Sequence, residues 1–201
     1  MAPAHRSLIG VNAPAVALPN YDGEEFKLTP GEGGMPTVIF FYPKAGSYGC
    51  TKEACQFRNA IAEKEAFQAD NVQIVGISPD SVEKQKTFVE KNKLTYPVLS
   101  DSEGTAAKAY GIGKGLFGLA DVARTTIIID AKGIIRDTIE GTLNYGAHAK
   151  FVTKWLQKLE SEKEKPQEAP AAETAAAAET VAEPTAAEES APAEVPAQAE
   201  S

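Results

Sequence analysis

The stretch Thr37-Val38-Ile39-Phe40-Phe41-Tyr42-Pro43-Lys44-Ala45-Gly46-Ser47-Tyr48-Gly49-Cys50-Thr51-Lys52-Glu53-Ala54-Cys55 decides how this chain folds and where its chemistry sits. Thr37 to Tyr42 is β-branched and aromatic, the composition of a buried strand, and Pro43 ends it by withdrawing a ladder donor. A loop then turns into a helix. Cys50, Ala54, Phe57 and Ile61 recur at helical offsets, with Lys52, Gln56, Asn59 and Glu63 on the opposite, wet face. Ser47 takes the N-cap position, which puts Cys50 in the first turn. Unpaired N–H groups and the positive end of the helix dipole there favour a thiolate over a thiol. Both cysteines of the chain lie in this stretch. At their spacing an unbroken helix holds the two Cα atoms about 8.7 Å apart, whereas a disulfide needs less than about 7 Å. The pair cannot bond while the helix is intact and can bond if its first turn unwinds. That suits a reversible switch better than a structural staple.

Upstream, residues 8 to 30 (LIGVNAPAVALPNYDGEEFKLTP) predict a short hairpin turning at Asp22-Gly23. Downstream, Val72 to Ile77 reads as a strand. Ser78-Pro79-Asp80-Ser81 is a turn and N-cap for a helix from about Val82 to Asn92. A short strand near Val98-Leu99, a helix from about Ser102 to Tyr110 and a glycine-rich loop to Val122 follow. Thr125 to Asp130 (TTIIID) is a strong strand, and Ala131-Lys132-Gly133 returns it into Ile134 to Glu140. The last helix, from Tyr145 to about Glu160, carries Phe151, Trp155 and Leu159 on one side, with Trp155 expected in the core. The order βαβαβα then ββα predicts an α/β fold with a central mixed sheet and helices on both faces.

Charge is unevenly placed along the 201 residues. Pro166 to Ser201 holds eight Glu, fourteen Ala, five Pro and no Lys or Arg, so this tail alone accounts for the net charge of −8. The rest of the chain balances twenty acidic against twenty basic residues. No basic excess marks a nucleic-acid binder. The expected division is a globular domain, residues 1–163, and a disordered Ala/Glu/Pro-rich acidic tail, 164–201, too poor in apolar side chains to bury a core. No apolar run nears the ~20 residues that span a bilayer, and the N-terminus lacks the charged-then-apolar build of a signal peptide. A cytoplasmic or nuclear location is expected, although no basic cluster of importing type is present. Two cysteines are too few for a secreted disulfide scaffold.

Several alternatives attach to these residues. Cys50 and Cys55 with His5 and His148 make the tally of a Cys2His2 zinc site, but each histidine is lone, one near the terminus and one starting a helix, so no metal is expected. A buried, inert thiol is the dull reading of either cysteine. Arg124, taken alone, is a surface arginine at a strand edge. Gly113-Lys114-Gly115-Leu116-Phe117-Gly118 matches the dinucleotide pattern G-x-G-x-x-G, which requires a strand before it and a helix after it. Here a helix precedes and a strand follows. The glycines instead suggest a mobile loop whose Leu116, Phe117 and Leu119 can cover the active site or a partner.

Pro43-xxx-Ser47-xx-Cys50, with the flank Cys50-Thr51-Lys52-Glu53-Ala54-Cys55-x-Phe57-Arg58, resembles the active site of the peroxiredoxins, in the subtype called peroxiredoxin Q or bacterioferritin comigratory protein. Ser47 fills the family's Thr/Ser position, and Tyr48 stands where this subtype usually has proline. The resemblance spans about residues 8 to 160 and implies a thioredoxin-like fold. It also implies an atypical two-cysteine thiol peroxidase acting on hydrogen peroxide and organic hydroperoxides. Cys50 would be the peroxidatic cysteine and Cys55 the resolving one. Pro43 would shield the sulfur and Ser47 would hold the peroxide. Arg124, in the family's Arg-x-Thr-x-x-x-Asp setting, would point at the reactive sulfur. No cofactor is implied. The implied partner is thioredoxin, with glutaredoxin or glutathione as other reductants, and the protein is expected to be a monomer. The competing reading is a redox-responsive binding protein that uses the same Cys50–Cys55 switch. A conventional disulfide oxidoreductase fits less well, because C-x4-C is not C-x-x-C.

Overall fold

The computed structural model of the chain describes residues 4–63, 67, 71–115, 118–141 and 144–164. The tail from residue 165 and the loop residues Leu116 and Phe117 lie outside them. The strands are β1 (Val16–Pro19), β2 (Glu25–Leu28), β3 (Thr37–Phe41), β4 (Gln73–Ser78), β5 (Val98–Ser100), β6 (Thr125–Ile129) and β7 (Ile135–Glu140). The helices are α1 (Tyr48–Glu63), α2 (Val82–Asn92), α3 (Thr105–Ala109) and α4 (Tyr145–Glu164). The β1–β2 hairpin turns at Asp22-Gly23 as expected, with Val16 opposite Leu28 and Pro19 opposite Glu25.

β3 sits at the centre of a five-stranded sheet in the order β5-β4-β3-β6-β7. The helical crossovers β3-α1-β4-α2-β5 make those three strands parallel, whereas β6 runs antiparallel to both β3 and β7. The sheet is therefore mixed. Every residue of β3 and of β6 is buried, because both faces of the sheet are covered. Alternation along β3 divides the core. Val38, Phe40 and Tyr42 pack with Ala54 and Phe57 of α1, Phe88 of α2 and Val152 and Leu156 of α4. Ile39 and Phe41 pack with Leu18 and Leu28 of the hairpin, Ala106 of α3 and Tyr110. Gly76 pairs with Phe40 across β3 and β4, and a Cβ on Gly76 would stand 2.8 Å from the Phe40 ring, so glycine makes room for the aromatic.

Three expectations need correction. α3 begins at Thr105, because residues 101–104 form a turn in which Gly104 N–H donates to the Asp101 carbonyl and the Asp101 carboxylate accepts from the Ala106 and Ala107 N–H groups at 3.1 and 2.8 Å. Trp155 is only half-buried, with its indole N–H donating to Asp137 at 3.0 Å, since that group needs an acceptor the core does not offer. His5, despite its place near the terminus, is buried. It lies in a short 3-10 helix, Ala4–Leu8, held down where Gly10 N–H bonds to the Ile135 carbonyl and Ile135 N–H to that of Val11. Between α3 and β6, Gly115 pairs with Ala120 in an isolated antiparallel bridge.

The topology places the site. Phe41 lies opposite Thr125, so the antiparallel pairing brings the residue before β6, Arg124, to the end of the sheet where β3 hands over to α1. α4 packs against α1 and closes that end from the other side.

Candidate active site

α1 begins at Tyr48, so Ser47 occupies the N-cap position and Cys50 lies in the first turn. The serine does not cap with its side chain. Its hydroxyl donates to the Lys44 carbonyl at 3.0 Å, and its own carbonyl accepts from Thr51 N–H at 2.9 Å. The loop before it is pinned by Ala45 N–H donating to the Asp80 carboxylate at 2.6 Å.

Cys50 is 1% exposed. Arg124 is also buried, which removes it from the surface position that its strand-edge place in the sequence suggests. Its guanidinium uses its terminal nitrogens separately. Nη2 lies 3.2 Å from the Cys50 sulfur, and Nη1 forms an ion pair with Glu53 Oε2. A planar fork does this without pivoting, and its charge cannot be lost by deprotonation. The arginine plane lies over the Tyr145 ring, 5.0 Å from its centroid. That ring in turn lies so close to α1 that a Cβ on Gly49 would stand 2.3 Å from it. Glycine at position 49 is thus the condition for Tyr145 to support Arg124.

Sequence reasoning missed Glu53, Tyr145, His148 and Thr126. Glu53 is 1% exposed, and burial pushes its carboxyl up to about 7 against the opposing pull of Arg124. Its position one turn after Cys50, between buried residues of α1, was the available signal. His148 lies in the first turn of its helix, as expected, but it is not lone. It is fully buried in α4, one turn before Val152, with Nδ1 at 2.8 Å from Thr126 Oγ1 and 3.3 Å from Glu53 Oε1.

Pro43, Ser47, Gly49, Arg124 and Tyr145 line an open cavity of about 680 Å³ that leads to this cluster, with Leu119 on its rim. Cys55 is not part of it. The second thiol is half-buried on the wall of an adjoining cavity of about 920 Å³ between α1 and α2, with its sulfur 3.8 Å from Asn92 Oδ1. Both cysteines are free thiols on one unbroken helix. Among the described residues, no group of three His, Cys, Asp or Glu side chains could hold a metal ion, and no helix is long and apolar enough to cross a membrane.

A thioredoxin-like sheet that carries a thiol at a helix N-terminus, hydrogen-bonded to a buried guanidinium, defines a cysteine-dependent redox enzyme. The model of the AhpC/TSA family matches residues 9–138. A putative peroxiredoxin of Mycobacterium tuberculosis is 40% identical over 145 residues, covering 72% of this chain and 92% of the relative. The chloroplastic peroxiredoxin Q of Suaeda salsa is 35% identical over 150 residues, covering 75% and 68%. Among solved structures, peroxidoxin BcpB of M. tuberculosis superposes with a TM-score of 0.65 at 36% identity, covering 75% of this chain and 97% of that one. Peroxiredoxin Q of Xanthomonas campestris superposes with a TM-score of 0.61 at 25% identity, covering 71% and 90%. This chain belongs to the AhpC/TSA family and is a thiol peroxidase of the peroxiredoxin class.

Proposed function

We propose that Cys50 is the peroxidatic cysteine and Cys55 the resolving one in a two-cysteine peroxide-reducing cycle. The observation that carries this is the Arg124 guanidinium 3.2 Å from the Cys50 sulfur, beside a cavity open to substrate. The thiolate attacks one peroxide oxygen, the O–O bond breaks, and the departing RO⁻ takes a proton: S⁻ + ROOH + H⁺ gives SOH + ROH. Arg124 supplies fixed positive charge to the sulfur and to the oxygens as they become negative. Ser47 offers a hydroxyl to the peroxide, and Pro43 keeps water from the sulfur. The sulfenic acid then condenses with the Cys55 thiol, forming the S–S bond and releasing water. Both sulfurs come from one helix, so a monomer is sufficient.

Thioredoxin is the proposed reductant, in a reducing compartment such as the cytoplasm. The peroxidase domain is assigned to residues 1–163, with 164–201 dispensable for chemistry. The test is peroxide-dependent oxidation of NADPH with thioredoxin reductase and thioredoxin. The parent should turn over continuously, and Cys50→Ser should be inert because a serine hydroxyl is neither ionised nor nucleophilic enough at neutral pH. Cys55→Ser should complete one oxidation and stall on a sulfenic acid that dimedone traps. Native turnover by Cys55→Ser with thioredoxin would remove Cys55 from the cycle.

A further inference from the structure

Behind Arg124, on the side away from the sulfur, lies a set of buried polar groups that the peroxide step does not touch. His148 Nε2 is 3.2 Å from the Gly141 carbonyl oxygen. A carbonyl only accepts, so Nε2 carries a hydrogen, and a neutral ring then presents a bare lone pair at Nδ1. That lone pair faces Thr126 Oγ1 at 2.8 Å and Glu53 Oε1 at 3.3 Å. The threonine hydroxyl can donate to it. An ionised Glu53 cannot, and Oε1 has no other hydrogen-bond partner. Two acceptors in contact in a dry interior are repulsive, and one proton placed between them removes the conflict.

We infer that Glu53 and His148 hold one proton between them behind Arg124, and that this proton decides how much of the arginine's charge reaches the Cys50 sulfur. The inference rests on Cys50 being the sulfur that meets peroxide. Glu53 and Cys50 occupy the two terminal nitrogens of the same guanidinium. With Cys50 as thiolate, Arg124 cationic and one proton on the pair, the buried group is neutral. Without that proton Arg124 is shared between two anions. When the sulfur becomes an uncharged sulfenic acid, neutrality is restored by an ionised Glu53 beside Arg124. Oxidation therefore releases the pair's proton, one for the one that RO⁻ takes up.

The groups facing the pair agree with a single shared proton. From α1 come Cys50 and Glu53, from β6 Thr126 and from the residue just before it Arg124, and from α4 Tyr145 and His148. Tyr96, whose phenol donates to the Ala54 carbonyl at 2.8 Å, is held neutral by its burial. Burial pushes His148 down to about 4, against a raising hydrogen bond to the Gly141 carbonyl, and Arg124 lowers it further. Burial holds Glu53 up at about 7, so below that pH the proton rests on the carboxyl and is donated to Nδ1. His148 is thus a positioning residue for Glu53 and, through it, for Arg124.

Difference infrared spectroscopy on the full-length Cys55→Ser protein, before and after one equivalent of hydrogen peroxide, tests this. At pH 6 the reduced protein should show a protonated glutamic carboxyl, identified by its shift with ¹³C-glutamate, and the band should vanish when Cys50 becomes a sulfenic acid. The isotope label keeps the test usable if Glu53→Gln fails to fold. If it folds, the band should be missing. His148→Asn supplies a permanent N–H to Oε1 and should keep Glu53 ionised. Its peroxide step should be about tenfold slower than the parent's at pH 6 and nearly equal at pH 8, where the parent has lost the proton too. Absence of the carboxyl band in the reduced protein, its persistence after oxidation, or an equal loss in His148→Asn at both pH values would overturn the inference. Failure of the Cys50 reading is separately visible, because peroxide would then leave no sulfenic acid on Cys50.

Discussion

Oxidation to the Cys50–Cys55 disulfide should unwind the start of α1. In the reduced protein both sulfurs sit on one continuous helix, Tyr48–Glu63, at a spacing that places their Cα atoms about 8.7 Å apart. A disulfide requires less than about 7 Å, so the bond cannot form on the intact helix. Bringing Cys50 to Cys55 gives up about three backbone hydrogen bonds, among them Thr51 N–H to the Ser47 carbonyl, at roughly 1 kcal/mol each. Withdrawing the sulfur from its buried seat adds about 1 kcal/mol. A local opening of about 4 kcal/mol is populated roughly once in a thousand molecules, accessible but rare. Hydrogen exchange read by mass spectrometry measures this directly. In the reduced protein, amides from Ser47 to Phe57 should be protected about a thousandfold by that opening, and in the disulfide form most of this protection should be gone. β3 and β6 should hardly change. Equal exchange in the two redox states, or a crystal of the disulfide inside an unbroken helix, would refute the reasoning.

Arg124→Lys keeps the charge but cannot serve Cys50 and Glu53 from two fixed nitrogens, so the peroxide step should slow by about 10- to 100-fold, the loss of one charge-assisted hydrogen bond, with the fold retained. Stopped-flow oxidation and circular dichroism check the two halves. A native rate would reduce Arg124 to a structural role. Stability should depend on pH through Glu53 and His148 in opposite senses. Glu53, raised from 4.5 to about 7, contributes stability that is complete below pH 4.5 and lost as pH rises through 7; His148, lowered from 6.5 to about 4, contributes stability that is complete above pH 6.5 and lost as pH falls through 4. Between pH 4.5 and 6.5 the two slopes cancel, so calorimetry of Glu53→Gln should reveal the histidine's slope, a rise of at most about 3 kcal/mol across that interval, where the parent is nearly flat. A chain ending at residue 165 should keep the parent's peroxide rate and lose the eight-glutamate excess of the tail. A severalfold drop in turnover would give the tail a part in the reaction.

Much of the fold was legible because it is written in local patterns. The TVIFF and TTIII runs are continuous, as befits strands covered on both faces, and α1, α2 and α4 each carry an apolar stripe at helical spacing. The strand–Pro43–Ser47–Cys50 succession set the thiol in a helix's first turn, and the pitch of the helix separated it from Cys55. Those relations span less than twenty residues and follow from backbone geometry alone.

What the sequence could not determine is how far-apart polar groups are buried together. Arg124 lies 71 residues from Glu53 and 74 from Cys50, and only the antiparallel pairing of β6 with β3 delivers it to them. His148 looked solitary because its partners, Glu53 on α1 and Thr126 on β6, are neighbours only after α4 packs against α1 and the sheet. A titrating side chain reads as surface or lone until the interior that desolvates it exists. The sequence determined that two thiols share one helix at a spacing its intact form cannot bridge, whereas the packing of α1, β6 and α4 decided which charges surround the first of them, because burial and pairing are properties of the assembled interior.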